Sequence, residues 1–138
     1  TLHWPLVFPL HPRTRERLES HGLFENLAKT PNLYLLEPQG YLEFIHLMAS
    51  AAAVMTDSGG IQEETTCLQV PCLTLRSTTE RPITISSGSN TLFPDANPEE
   101  VLPYLSRIFE GYGKKGAVPP LWDGRASDRI AAILAGTH

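Results

Sequence analysis

The sequence is poor in cysteine, in contiguous charge of one sign and in long apolar runs. Cys67 and Cys72 are its only cysteines among 138 residues. A disulfide needs an oxidising compartment, to which nothing here points. The spacing also lacks the second ligand pair of a zinc site. Both are read as reduced, structural cysteines, because free cysteine is commonly buried, and cytoplasm is the expected location. No apolar run approaches the ~20 residues of a membrane-spanning helix. Lys114-Lys115 is the only adjacent lysine pair, and the net charge is -4. No basic field is available to neutralise phosphates, which excludes general nucleic-acid binding. The first residues, Thr1 to Val7, lack the basic region and cleavage site of a signal peptide. They also lack an initiator Met, so a fragment or processed product is expected.

What is present is an ordinary globular composition. Hydrophobic residues make up 41% and charged residues 19%, and the length allows one compact domain with its own core. Short apolar runs alternate with helical patterns. Strands are expected at Pro5–Leu10, Asn32–Leu36, Ala53–Thr56 and Pro71–Leu75, with a short fifth at Thr91–Phe93. Helices are expected at Arg13–Ser20, stopped by Gly22, and at Tyr41–Ser50, Ile61–Leu68, Pro98–Glu110 and Asp123–Leu134. Pro98 suits a first helical turn, with Glu99 and Glu100 at the favourable end of the dipole. Strand and helix in alternation predict an α/β fold, a Rossmann-like parallel sheet flanked by helices. Such sheets bind ligands beyond the carboxyl ends of their strands. The unusual loops all follow strands: His11-Pro12-Arg13, Glu37 to Gly40, Asp57 to Gly60, and Arg76 to Gly88. Gly111 to Pro120, with three glycines and two prolines, reads as the flexible connection.

The run from Thr56 to Glu64 carries most of the chemical information. Ser58, Gly59 and Gly60 leave backbone N–H groups uncovered at a helix start, where the dipole favours an anion. Asp57 is expected to cap or brace the turn. Six residues beyond Ser58, about 9 Å along a helix axis, lies Glu64. That is about the span from a pyrophosphate to a ribose hydroxyl. Helical spacing sets Glu64 beside the stripe of Ile61, Thr65 and Leu68, and turns Glu63 further towards solvent. Glu64 is thus read either as a ligand for vicinal hydroxyls or as a favourable helix-end charge. Glu63 is read as the latter.

Asp57-Ser58-Gly59-Gly60-Ile61-Gln62-Glu63-Glu64, followed by Pro71 to Arg76 and by Thr79-Glu80-Arg81-Pro82, resembles the non-hydrolysing UDP-N-acetylglucosamine 2-epimerase family. His11-Pro12-Arg13-Thr14, Gly40 to Phe44 and Leu121-Trp122-Asp123-Gly124 fit it too. The likeness runs from about Pro5 to Leu134. It implies the C-terminal half of a GT-B fold, similar to UDP-glycosyltransferases and glycogen phosphorylase. Residues 1–138 would then be a single Rossmann-like UDP-binding domain whose N-terminal partner domain is missing. In this family UDP is eliminated as the sugar loses its C2 proton, and is re-added with the opposite C2 configuration.

The resemblance places Ser58, Gly59 and Arg81 at the phosphates, Glu64 at the ribose and Phe44 in the uracil pocket. It links His11 to a second, activating sugar-nucleotide site found in some bacterial members. The residues alone leave alternatives open: Phe44 as core, His11 as a strand-end histidine, and Arg81 as the partner of a surface acid. Ile83 stands where many members carry glutamate, and Thr78 where asparagine is frequent. The family's acid/base groups belong to the N-terminal domain or lie upstream, so no catalytic residue is expected here, nor any metal or redox cofactor. The expected partners are UDP or UDP-N-acetylglucosamine, the missing domain and a second copy in a homodimer. Two other readings remain: the donor domain of a GT-B glycosyltransferase, and a non-catalytic nucleotide-sugar-binding module.

Overall fold

The structure is a computed structural model and describes residues 4–136. The chain divides into two compact units, Thr1–Phe44 and Ile45–His138.

In the first unit β1 (Leu6–Pro9) pairs in parallel with β2 (Leu33–Leu36), Leu6 opposite Leu33 and Pro9 opposite Leu36. The prolines sit at the ends of the first strand, where a missing N–H costs least. Between the strands run α1 (Pro12–Ser20) and a short α2 (Phe24–Ala28). His11 caps α1, its Nδ1 accepting from the Arg13 N–H at 3.2 Å. At the other end Gly22 adopts a φ of 66°, and this left-handed turn stops the helix as expected. Arg15 pairs with Glu37 and stacks 4.9 Å over the Phe24 ring, tying α1 to the end of β2 and to α2. The five-residue α2 is too short to show a helical period in the sequence. After β2 comes α3 (Tyr41–Ser50), at its expected bounds.

The second unit carries a three-stranded parallel sheet in the order β3 (Val54–Thr56), β4 (Cys72–Thr74), β5 (Asn90–Leu92). Val54 faces Cys72, and Cys72 faces Asn90. The strands are joined by α4 (Gly59–Leu68) and the short α5 (Pro82–Ser86), and followed by α6 (Pro98–Arg107), a wider turn at Ile108–Tyr112, and α7 (Ala126–Leu134). The core packs Leu73 of β4 against Phe93, Val101 and Ile108, with Tyr104 edge-on to Phe93 at 5.2 Å. Asn97 caps α6, accepting from the Glu99 N–H at 3.0 Å, with Pro98 in the first turn. The helix ends sooner than expected: Gly111 has a φ of 91°, and the last turn widens before it. The closing helix starts later than expected because Gly124, at φ 75°, breaks the chain direction after Asp123.

Three further expectations are corrected here. The loop from Arg76 to Gly88 contains α5, opened by Pro82 in its first turn. The glycine-rich stretch from Gly111 to Pro120 is not a free connection. Lys114 Nζ donates to the carbonyls of Ile85 and Asn90, at 2.5 and 2.7 Å. The Ala117 N–H bonds Ser87, and Pro119 is buried. A Cβ on Gly116 would lie 2.2 Å from the Gly88 carbonyl. Glycine is used here for close backbone approach rather than for freedom. Of the cysteines, both free, Cys72 is buried but Cys67 is exposed, so only Cys72 has the packing role expected of both.

Candidate functional site

Parallel pairing brings the ends of β3 and β4 to one edge of the sheet, and with them two of the loops singled out above. The first is the glycine turn. Thr56, the last residue of β3, accepts a hydrogen bond from the Ser58 N–H at 3.0 Å. Thr56 therefore does the bracing expected of Asp57, whose side chain is exposed and contributes no cap. Ser58 is the N-cap of α4, in an extended conformation, and its hydroxyl makes no capping bond. The N–H groups of Gly59, Gly60 and Ile61 have no intrahelical acceptor, as at any helix start. A Cβ on Gly60 would meet nothing within 4 Å, so this backbone is open to approach.

The second loop runs from Arg76 to Pro82. Arg76 bonds Glu80 at 2.9 Å, which holds the Glu80 carboxyl below its ordinary range. Arg81 pairs more loosely with the same carboxylate, Nη1 to Glu80 Oε2 at 3.9 Å, and also reaches the glycine turn. Its Cζ and Nη1 lie 3.4 Å from where a Gly59 Cβ would be, so the guanidinium rests on the glycine turn. Its Nε is 3.2 Å from a Glu63 oxygen, yet this enclosed N–H makes no hydrogen bond. The distance and the angle thus disagree: the pair is held by charge, with the N–H pointing off the line to the carboxylate. With both side chains a third or more exposed, the pair is worth about 0–1 kcal/mol.

Glu63, read as a helix-end charge, is thus also a partner of Arg81, and its side chain stays 44% exposed. The buried face of α4 is formed by Gln62, Thr65 and Thr66, rotated from the expected stripe of Ile61, Thr65 and Leu68. Both acids flank this face and are half-buried. Glu64 has no ion-pair partner among the described residues. Burial, then the neighbouring Glu63, push its carboxyl above the ordinary range.

Beneath the turn lies a group of buried polar side chains that sequence reasoning missed. Gln62, wholly buried, accepts at Oε1 from the Thr79 hydroxyl (2.6 Å) and from Asn90 Nδ2 (3.1 Å). Its Nε2 donates to the Ser58 carbonyl at 3.3 Å. Asn90 also accepts from Thr74 at 2.6 Å and donates to Thr84 at 3.2 Å. A usable signal existed: Gln62, Thr65 and Thr66 are uncharged polar residues at helical spacing on either side of two charged ones.

In the first unit His11 stands at the N-cap of α1, and Phe44 is half-buried in the first turn of α3, its N–H bonded to the Gly40 carbonyl. His11 thus has a structural task at the start of α1. Among the described residues no group of three or more His, Cys, Asp or Glu could hold a metal ion. Nor is any helix among them long and apolar enough to cross a membrane.

A parallel α/β sheet with a glycine turn opening a helix at a strand's carboxyl end is the architecture of nucleotide-binding α/β folds. Comparison with known proteins narrows it. A family model described as UDP-N-acetylglucosamine 2-epimerase matches residues 2–135. The UDP-N-acetylglucosamine 2-epimerase of Methanocaldococcus jannaschii is 40% identical over 129 residues, covering 94% of this chain and 34% of that protein. The crystal structure of the M. jannaschii enzyme in complex with UDP-GlcNAc and UDP superposes with a TM-score of 0.83 at 39% identity, over 96% of this chain and 36% of that one. The Neisseria meningitidis UDP-GlcNAc 2-epimerase bound to UDP-GlcNAc gives 0.79 at 33% identity, with the same coverage. The chain belongs to the UDP-N-acetylglucosamine 2-epimerase family, and its fold is that of part of these GT-B-like enzymes. It spans about a third of the length of the relatives it matches.

Proposed function

We propose that the chain is the UDP-holding, C-terminal portion of an enzyme that interconverts UDP-N-acetylglucosamine and UDP-N-acetylmannosamine. The observation that carries this reading is the guanidinium of Arg81 resting on the Ser58–Gly60 turn. Two loops from neighbouring parallel strands there converge a fixed positive charge and open helix N–H groups on one spot. In the reaction the C2 proton leaves the sugar to a base outside this chain. The C2–H electron pair forms a C1=C2 double bond as the bond from C1 to the phosphate oxygen breaks, and UDP departs with the electrons of the broken bond; re-addition of UDP reverses this with the proton returned to the opposite face of C2. The N–H groups of Gly59 and its neighbours, the Ser58 hydroxyl and Arg81 meet that negative charge as it develops, in a preorganised array. Glu64, the acid that Arg81 leaves unpaired, accepts from the ribose hydroxyls. Phe44 is assigned to the uracil on resemblance alone, and His11 likewise to a second sugar-nucleotide site.

In this reading residues 1–138 serve as one UDP-binding domain of a cytoplasmic enzyme. Its partners are the N-terminal domain that carries the acid/base groups, and a second copy. The chain alone should then bind UDP without turning substrate over. Calorimetric titration with UDP tests the first point. Ser58→Ala and Glu64→Ala are each expected to weaken binding; unchanged affinity in both refutes the nucleotide site. Incubation with UDP-N-acetylglucosamine, followed by NMR, tests the second, and formation of the manno epimer by the purified chain would overturn it.

A further inference from the structure

We infer that Thr79 and Gln62 are positioning residues that lock the Arg81 loop to the Ser58–Gly60 turn, so that the two act as one diphosphate site. The inference rests on the UDP-site reading above and adds how that site is held.

Arg81 ends a loop with no regular structure of its own after Leu75. Such a segment presents a long cation accurately only if its backbone is held. Here both sides of the Arg81 backbone are held by buried or half-buried hydroxyls. Its N–H donates to Thr79 Oγ1 at 3.0 Å. Its carbonyl accepts from Thr84 Oγ1 at 2.7 Å. A hydroxyl has one proton to give, and Thr79 gives it to Gln62 Oε1 at 2.6 Å. Gln62 Nε2 in turn donates to the Ser58 carbonyl at 3.3 Å. One continuous path therefore runs from the Arg81 N–H through Thr79 and Gln62 to the residue that opens α4.

The direction of every link is determined. Gln62 Oε1 faces two donors, Thr79 and Asn90, and its Nε2 faces a carbonyl. Flipping the amide would set a donor against donors and an oxygen against an oxygen, which a fully buried group does not tolerate. Gln62 sits on α4 between Gly59, against which Arg81 rests, and Glu63, with which it pairs. A shift of the Thr79 end would move the guanidinium off the glycine turn without touching the turn itself.

The test compares UDP with uridine, which lacks the phosphates, by titration of the whole chain followed by NMR. Thr79→Val keeps the shape and removes both bonds. It is expected to lower UDP affinity by about 5–20-fold, a part of what a charged contact contributes, and to leave uridine affinity unchanged. Thr79→Ser should restore UDP binding. Gln62→Met should repeat the selective loss. In an Arg81→Ala background, Thr79→Val should have no further effect, because the two changes remove one interaction. Three results overturn the inference while leaving the UDP site intact: unaltered UDP binding by Thr79→Val, equal loss of UDP and uridine, or an undiminished Thr79→Val effect without Arg81. If Arg81→Ala itself binds UDP like the parent, or the parent does not bind UDP, the underlying reading fails and this inference falls with it.

Discussion

Replacing Asn90 by leucine is the sharpest probe of the buried polar group beneath the glycine turn. Asn90 is fully buried at the start of β5. Its Oδ1 accepts the Thr74 hydroxyl at 2.6 Å, and its Nδ2 donates to Gln62 and Thr84. Leucine copies its branching, but its methyls are bulkier than the amide and carry no polar atom. Thr74, also fully buried, would then hold a hydroxyl with no acceptor except the Cys72 sulfur at 3.8 Å. An orphaned buried donor costs about 1–3 kcal/mol, and each lost bond to Gln62 and Thr84 about 0.5–1.5 kcal/mol. Both of those partners keep other bonds, and the leucine regains about 1–2 kcal/mol from apolar burial. The expected loss is about 2–3 kcal/mol. The second half of the prediction concerns sign. Thr74→Val alone should destabilise, because it strands Asn90 Oδ1. Added to Asn90→Leu, it should recover about 1 kcal/mol by removing the orphan. Urea unfolding followed by Trp122 fluorescence reads this in a Trp4→Phe background, since Trp4 belongs to the first unit. A loss below about 0.5 kcal/mol, or a further loss on adding Thr74→Val, would refute the reasoning.

Other changes test other parts of the account. Gly88→Ala would set a Cβ 2.4 Å from Thr66 Oγ1 and 2.6 Å from the Thr84 carbonyl; overpacking of this kind should cost about 1–3 kcal/mol in the same urea assay. Lys114→Met abandons the Ile85 and Asn90 carbonyls, which should cost about 2–3 kcal/mol and expose residues 111–120 to limited proteolysis. Glu64 has a carboxyl raised above its ordinary 4.5 by burial and by Glu63, so its ionised form is disfavoured in the fold. The folded state therefore binds the extra proton in a window just above pH 4.5. In that window stability contributed by Glu64 falls as pH rises. Thermal melts of the parent and Glu64→Gln should accordingly converge on acidification, the variant being the more stable at neutral pH. A gap that widens on acidification would contradict this.

Much of the architecture was legible because parallel strands buried on both faces leave short apolar runs that few other elements imitate. Pro71 to Leu75, around the fully buried β4, is of this kind. Helix ends with chemical markers were legible too: Gly22 after α1 and Pro98 in the first turn of α6. What escaped notice depended on distant parts of the chain. Gln62 is a polar helix residue that becomes core only when the Thr79–Arg81 loop folds over it. The faces of Glu63 and Glu64 follow in the sequence from a stripe of Ile61, Thr65 and Leu68, whereas Gln62, Thr65 and Thr66 are the residues that pack. Gly111 to Pro120 has the composition of a linker, and only Lys114 and the Gly88–Gly116 contact show why it is held. The candidate site itself was nameable from the Ser58–Glu64 run and the Thr79–Pro82 loop. Their adjacency follows from β3 and β4 being parallel neighbours.

The central claim is that UDP is gripped where Arg81 meets the Ser58 turn. Amide chemical-shift mapping of the chain with UDP tests it most directly. The account predicts the largest shifts at Ser58, Gly59 and Gly60, with further shifts at Glu64 and Arg81. With uridine in place of UDP, the shifts at Ser58, Gly59 and Arg81 should collapse. Saturable UDP binding that leaves Ser58 to Gly60 and Arg81 unperturbed would contradict it.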